Sequence, residues 1–333
     1  MSELNTQNIP IVVTNVANSL SALETVMATI TTDRPALQNW GINVQAFGPD
    51  IMTDTVQITL STPTPTDIGA LAQHVAATGS ATSVTSSNYL SVASLVLISY
   101  YAGQPLSVAP TLAEPIVPWD RYSDTPPWWG GDALFTSVSG GGQGTAYCTA
   151  GFGVQGAHNP NNYFLLTAGH CGSHTWYTTG REIGPTSSIY NCNATDDDAQ
   201  TISVNSSGGT QPYVWVGTSG GAVAVVGQGV PAINSSVTLS GANSGETVGT
   251  VNATNQSEFL GNCQVEHLLN IGGNNLGTGG DSGGPVFWYS GGSTGGYPNV
   301  KAAGLIEGGN TTVAFAEQIG NVLPDTTTTL LTA

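Results

Sequence analysis

The stretch GTGGDSGGPVF, Gly277 to Phe287, decides how the rest of the chain is read. Two glycine pairs bracket one acid and one hydroxyl, Asp281 and Ser282. A serine becomes a nucleophile only beside a base, with donors waiting for the oxyanion its attack creates. Glycines on both sides allow backbone conformations that aim N–H groups inward and leave space for a substrate chain. Alone, the run also suits a surface turn in a chain holding 44 glycines, so a partner histidine is required.

That histidine stands upstream in NYFLLTAGHCG, Asn162 to Gly172. The apolar run Tyr163 to Leu166 reads as a strand, and the small-residue turn after it presents His170 beside Cys171. In this order, LLTAGHC and GDSGGPV resemble the chymotrypsin-fold serine proteases, most closely their secreted bacterial alpha-lytic protease and streptogrisin-like branch. YCTAGFGV (Tyr147 to Val154), GGDALFTS (Gly130 to Ser137) and VTLSGANSGETVGTVNATN (Val237 to Asn255) resemble that branch too. The resemblance spans roughly residues 128 to 323.

The resemblance implies a buried acid between the two motifs that orients the imidazole. TDDDAQTISV, Thr195 to Val204, offers Asp196, Asp197 and Asp198. The family's acid opens a strand; Asp198, followed by alternating residues from Ala199, fits without a gap, and Asp197 is the second choice. The implied roles are Ser282 as nucleophile, His170 as base and Asp198 as orienting acid, with the Gly280 and Ser282 amides as oxyanion hole. Asp281 resembles the family's structural aspartate. The arginine that relatives place near the VTxSG run is Leu239 here, which leaves Arg181, Arg121 or hydrogen bonds alone as its partner. In AAGLIEGGN, Ala302 to Asn310, Gly308 and Gly309 are the implied pocket wall that pairs with substrate backbone. Glu307 stands where the family has a small serine. Either the register slips and Glu307 lies on a solvated edge, or a second carboxylate lies beside Asp198; both readings stay open. No acid occupies Asn274 to Thr278, so Leu276 and Thr278 suggest an apolar residue before the scissile bond. Ile306 takes the place of the histidine that glutamate-specific relatives use.

Four Lys+Arg stand against 21 Asp+Glu, a formal net charge of −17 that repels nucleic acid and anionic membranes. Charged residues are nevertheless only 8% and hydrophobic ones 39%, enough apolar material for a core. Once the carboxylates neutralise, few cations remain to repel one another, so the fold is expected to endure acid. A protonated His170 still cannot act as a base. Four cysteines suit two disulfides in an oxidising compartment. The resemblance pairs Cys148 with Cys171, and Cys192 with Cys263 follows by elimination. No CxxC spacing is present, and no metal or cofactor is expected.

Short alternating runs rich in Gly, Thr, Ser and Val predict a mainly β protein. The resemblance implies two antiparallel six-stranded β-barrels with the site between them, preceded by a small α+β pro-domain. Residues 1–105 are expected as that pro-region, with a helix over Val13 to Ile30, a hairpin turning at Gly48 to Asp50, a short helix after Thr66, and strands from Ser83. Residues 106–127 form a Pro-rich exposed linker holding the processing site, and 128–333 the two-lobed protease. A terminal helix is expected over Ala314 to Leu323, ended by Pro324. Met1 precedes polar SELNTQN and no secretory signal is visible, so the signal of a secreted protein is expected to have been replaced by Met1. The function expected is a secreted, monomeric serine endopeptidase made as a zymogen, acting on protein and peptide substrates. Its pro-region would serve as intramolecular chaperone and inhibitor. The alternatives are a catalytically inactive protease-fold protein and a β-rich secreted binding protein.

Overall fold

The computed structural model describes residues 20–50, 55–61, 71, 84–86, 89–92, 96–101, 121–137, 146–190, 197–216, 221–260, 263–309 and 312–333. The chain is mainly β. Six strands of the second lobe close on themselves: Ser236–Gly241, Gly245–Leu260, Cys263–Gly273, Val313–Gln318, Tyr297–Gly309 and Pro285–Thr294, each antiparallel to the next and the last to the first. Closure removes the unpaired edges that an open sheet would leave. Its interior is apolar, with Val237, Leu239, Val251, Ile271 and Val286 buried together.

The first lobe is a six-stranded antiparallel sheet in the order Thr175–Thr178, Arg181–Tyr190, Ala199–Ser203, Tyr163–Ala168, Gly153–Gly156, Thr328–Leu330. Its last strand comes from the C-terminus, which returns across the molecule to pair with Gly153–Gly156. Successive side chains of a strand point to opposite faces. In Tyr163–Ala168, Leu165 therefore fills the core of this lobe, while Leu166 faces the cluster of Phe152, Val214, Phe287 and Leu305 that joins the two lobes. The strand reads as one apolar run because both of its faces are covered.

The N-terminal segment forms the helix Leu20–Asn39, with Leu23, Val26, Ile30 and Leu37 along one buried face. The helix runs on past Ile30 and through Pro35, because Leu37 continues the same apolar stripe. The expected hairpin is present as Val44–Asp50 against Thr55–Ser61, but Gly48 to Asp50 lies in the strand and not in the turn. Gly48 serves close approach: a Cβ there would fall 2.3 Å from the Gln256 amide nitrogen. Strands Val84–Ser86, Tyr89–Val92 and Val96–Tyr101 complete this segment, and Ala46 and Phe47 hydrogen-bond it to Ser257 and Glu258 of the second barrel. Apart from Leu71, the helix expected after Thr66 lies outside the described residues, as do positions 102–120.

Two further expectations are corrected. Ala314 to Gln318 is strand, paired on both sides, and the terminal helix is only Ile319–Asp325 with Pro324 inside it. The second barrel needs that strand to close. The described part of the expected linker, from Arg121, is packed against the two lobes. Arg121 is buried and donates to the Ser240 hydroxyl at 3.2 Å and to the Gly241 carbonyl, and Asp124 accepts from the Trp215 indole at 3.0 Å. Trp128–Gly130 runs parallel to Thr210–Val216.

Candidate active site

Strand pairing brings the histidine and the acid together. Ala168, the last residue of Tyr163–Ala168, is registered against Ala199, so His170 in the following turn meets Asp198 at the opening of the neighbouring strand. The Asp198 carboxylate accepts from the His170 backbone N–H at 2.6 Å, and its other oxygen lies 2.5 Å from Nδ1. This fixes the tautomer: Nδ1 donates, and Nε2 is left with its lone pair. Gly169 makes the approach possible, since a Cβ there would lie 2.2 Å from the Tyr190 carbonyl and 2.8 Å from the Asp198 carboxylate. Asp198 is fully buried, whereas the His170 side chain is 36% exposed. Burial alone would push the Asp198 carboxyl up, but hydrogen bonds from the His170 ring and amide and the charge of the ring help to hold it below its ordinary value.

The Ser282 turn packs against the same strand end. The Ser282 carbonyl accepts from Thr149 N–H at 2.8 Å, and Thr149 follows Cys148, whose disulfide to Cys171 anchors the residue next to His170. A Cβ on Gly283 would fall 2.0 Å from the Thr167 hydroxyl and 2.6 Å from the Ala168 nitrogen, so Gly283 lets the two loops meet. Gly283 N–H donates to the Ile306 carbonyl at 2.6 Å, and Ile306 N–H returns to Gly284 at 2.9 Å. The turn is thereby stitched to both lobes.

Gly280 has φ +95°, and a Cβ there would meet the Ala146 carbonyl at 2.3 Å. The Gly280 carbonyl is held by the Thr149 hydroxyl at 2.8 Å. Among the described residues, the amides of Gly280 and Ser282 donate to no protein acceptor, while the intervening Asp281 amide donates to Thr278 at 3.1 Å. Two free, neighbouring donors are what an oxyanion requires. The Asp281 carboxylate accepts from the amides of Thr278, Asn243 and Ser244 at 2.7, 2.9 and 3.0 Å and from the Ser244 hydroxyl at 2.5 Å. Burial still outweighs these bonds and leaves its carboxyl raised. Hydrogen bonds thus stand where relatives place an arginine, and Leu239 belongs to the core. Arg121 bonds to the next shell, at Ser240 and Gly241, and Arg181 is exposed.

The two readings of Glu307 are resolved toward the acid. Between Ile306 and Gly308 the register against Val313–Gln318 slips by one residue. Such a bulge re-aims a side chain, and here Ile306 and Glu307 are both buried. Glu307 Oε2 lies 3.7 Å from His170 Nδ1, and the carboxyl is within hydrogen-bond reach of Asp198. Gly308 and Gly309 follow it, half-buried at the strand end. Leu276 is buried in the second barrel's core, so its side chain does not face substrate; Thr278 is half-buried and spends its amide on Asp281.

Glu317 was not foreseen. It is fully buried, and its Oε2 accepts the Asp198 backbone N–H at 3.0 Å. The signal was slight, one acid inside the apolar run VAFAEQ. His170, Asp198 and Glu307, and separately Asp197, Glu317 and Asp325, bring ligand-type atoms within 4.8 Å of one another. Neither group is assigned to a metal: in the first, Nδ1 is committed to Asp198, and in the second, Glu317 Oε2 is committed to the Asp198 amide. Cys192 lies outside the described residues, so its pairing with Cys263 is not described.

No family model and no curated protein matches this chain. Solved structures similar to it include bacterial serine proteases of the chymotrypsin fold and alpha-lytic branch. Thermobifida fusca protease A is 27% identical, with 62% of this chain and 98% of that one covered at a TM-score of 0.48. For a Nocardiopsis protease the values are 25%, 61%, 98% and 0.49, and for an alpha-lytic protease homolog 24%, 60%, 97% and 0.46.

Proposed function

We propose that this chain is a secreted serine endopeptidase, made as a zymogen, in which Ser282, His170 and Asp198 hydrolyse peptide bonds. One observation carries the reading: the His170 ring is tied through Nδ1 to a buried carboxylate, and the glycine-lined Ser282 turn packs against the strand end that presents it. In the mechanism, Nε2 of His170 takes the Ser282 proton as Oγ attacks the substrate carbonyl. The tetrahedral oxyanion accepts from the Gly280 and Ser282 amides. The leaving amine then takes the proton back from His170, and water repeats the sequence on the acyl-enzyme. Asp198 keeps the ring in the working tautomer and stabilises the imidazolium.

The Cys148–Cys171 disulfide supports an oxidising destination. Strand pairing of Ala46 and Phe47 with the second barrel supports residues 1–105 as a pro-region that docks on its own enzyme. Because Arg121 is packed into the protease body, processing is proposed upstream of it, within 102–120. With no acid among Asn274 to Thr278, cleavage after Lys or Arg is not proposed. A peptide-library digest by the parent and by Ser282→Ala tests the whole reading. Cleavage by the parent alone is expected; equal cleavage by both, or none by the processed parent, overturns it.

A further inference from the structure

Buried carboxylates crowd around Asp198, and the ion pairs of Asp198 and Glu307 run to the His170 ring. Glu307 lies beside Asp198, at the start of Ala199–Ser203, and His170 in its turn, and it feels the charges of Glu317 on Val313–Gln318 and Glu258 on Gly245–Leu260. Beyond Glu317 stand Asp197 and Asp325, with His267 beside Asp325. Both Glu307 oxygens, one of Glu317 and one of Glu258 are buried without a hydrogen-bond partner among the described residues. A carboxylate facing a carboxylate presents acceptor to acceptor and gains nothing. A carboxylic acid facing a carboxylate makes a strong O–H···O⁻ bond. An unpaired charge in this setting is expensive, and a proton on Glu307, both of whose oxygens lack a partner, removes it.

We propose that Glu307 is a positioning residue of the triad: as the neutral acid it donates its O–H to the Asp198 carboxylate and holds it against His170. Asp198 is then gripped three ways, by the His170 ring and amide, by Glu307, and through its own amide by Glu317. The bulge at Glu307 is the device that turns the acid inward. Burial first, then the charges of Asp198 and Glu317, push its carboxyl well above the ordinary range, which agrees with a retained proton. A neutral donor also disperses charge from Asp198, which agrees with a carboxyl held below its ordinary value.

The inference rests on the catalytic reading of His170 and Asp198, so one readout is independent of catalysis. The carboxylic-acid C=O stretch is recorded by infrared difference spectroscopy on the full chain carrying Ser282→Ala, near neutral pH, with and without Glu307→Gln. A protonated-carboxyl band that disappears with Glu307→Gln is expected; identical spectra overturn the proposal even if the enzyme is active. The second readout is the pH profile of kcat/KM for the processed parent, Glu307→Gln, which keeps a neutral donor, and Glu307→Leu, which keeps bulk alone. Glu307→Gln should track the parent within about threefold, while Glu307→Leu loses on the order of tenfold or more in kcat/KM. Equal losses in both variants would show that a neutral donor does not restore the role and would overturn the proposal, as would unchanged profiles, which would mean that Glu307 only fills space. Should Glu307→Leu not fold, the infrared comparison and Glu307→Gln still decide. Absence of any peptidase activity beside a clear Glu307 band would overturn the functional reading and leave the shared proton standing.

Discussion

Replacing Glu258 by Gln should stabilise this protein in neutral and alkaline solution and do little in acid. Glu258 is 4% exposed, is registered opposite Ala46 of the N-terminal segment, and has one oxygen with no partner among the described residues. Burial, reinforced by the charge of Asp198, raises its carboxyl from 4.5 to about 8. A raised carboxyl is at no disadvantage below the unfolded value, where both states keep the proton. Stability then falls as pH climbs from 4.5 toward about 8, because unfolding releases a proton the folded state retains. Above about 8 the folded chain carries a buried charge, and the deficit levels off at roughly 5 kcal/mol, using about 1.4 kcal/mol per unit. Relaxation around the charge will trim this to about 2–5 kcal/mol. Gln cannot ionise, so its advantage should be absent near pH 4 and complete somewhat above pH 8. Urea unfolding of the Ser282→Ala chain with and without Glu258→Gln, at both pH values, reads the difference directly. A gain of the same size at both would refute the reasoning, because the effect would then owe nothing to titration.

The same logic extends to the whole fold, since Asp132, Asp281, Glu307, Glu317 and Asp325 are all raised chiefly by burial. Thermal midpoints should therefore rise as pH falls from about 7 to about 4.5, and decline only where Asp198, held below its ordinary value, is protonated. A midpoint that falls steadily with acid contradicts this. Removing both Cys148 and Cys171, 23 positions apart, should cost about 3 kcal/mol in chemical denaturation; no change would mean the bond does not limit the unfolded chain. Gly280→Ala forces a side chain onto the Ala146 carbonyl at positive φ and should lower kcat by about 10²–10³ with KM little changed, whereas an unaltered kcat would detach Gly280 from oxyanion binding.

The site was legible where chemistry is local in sequence. His170 and Ser282 each sit in a short motif whose glycines have a visible task, and Asp198 opens the strand registered beside the His170 strand. Glu307 stayed ambiguous because alternation has period two, and a one-residue bulge breaks that count without leaving a residue type to mark it. Glu317 was hidden for a related reason: Ala314 to Gln318 reads as the start of a helix, yet both flanking strands need it to close the barrel. Gly48 looked like a turn glycine and proved to be a contact glycine, which only its neighbour Gln256 reveals. The strand Thr328–Leu330 pairs with residues about 170 positions earlier, and nothing local announces such a partner. Hydrogen bonds from Asn243 and Ser244 to Asp281 could have been sought in the SGANSG run once no arginine was found there.

The central claim is that His170 activates Ser282 inside a pre-formed oxyanion site. A fluorophosphonate probe tests it most directly, with the adduct mapped by peptide mass spectrometry in the processed parent, His170→Ala and Ser282→Ala. The account predicts one adduct, on Ser282, in the parent alone. Labelling elsewhere, or labelling of Ser282 that persists undiminished in His170→Ala, would contradict it.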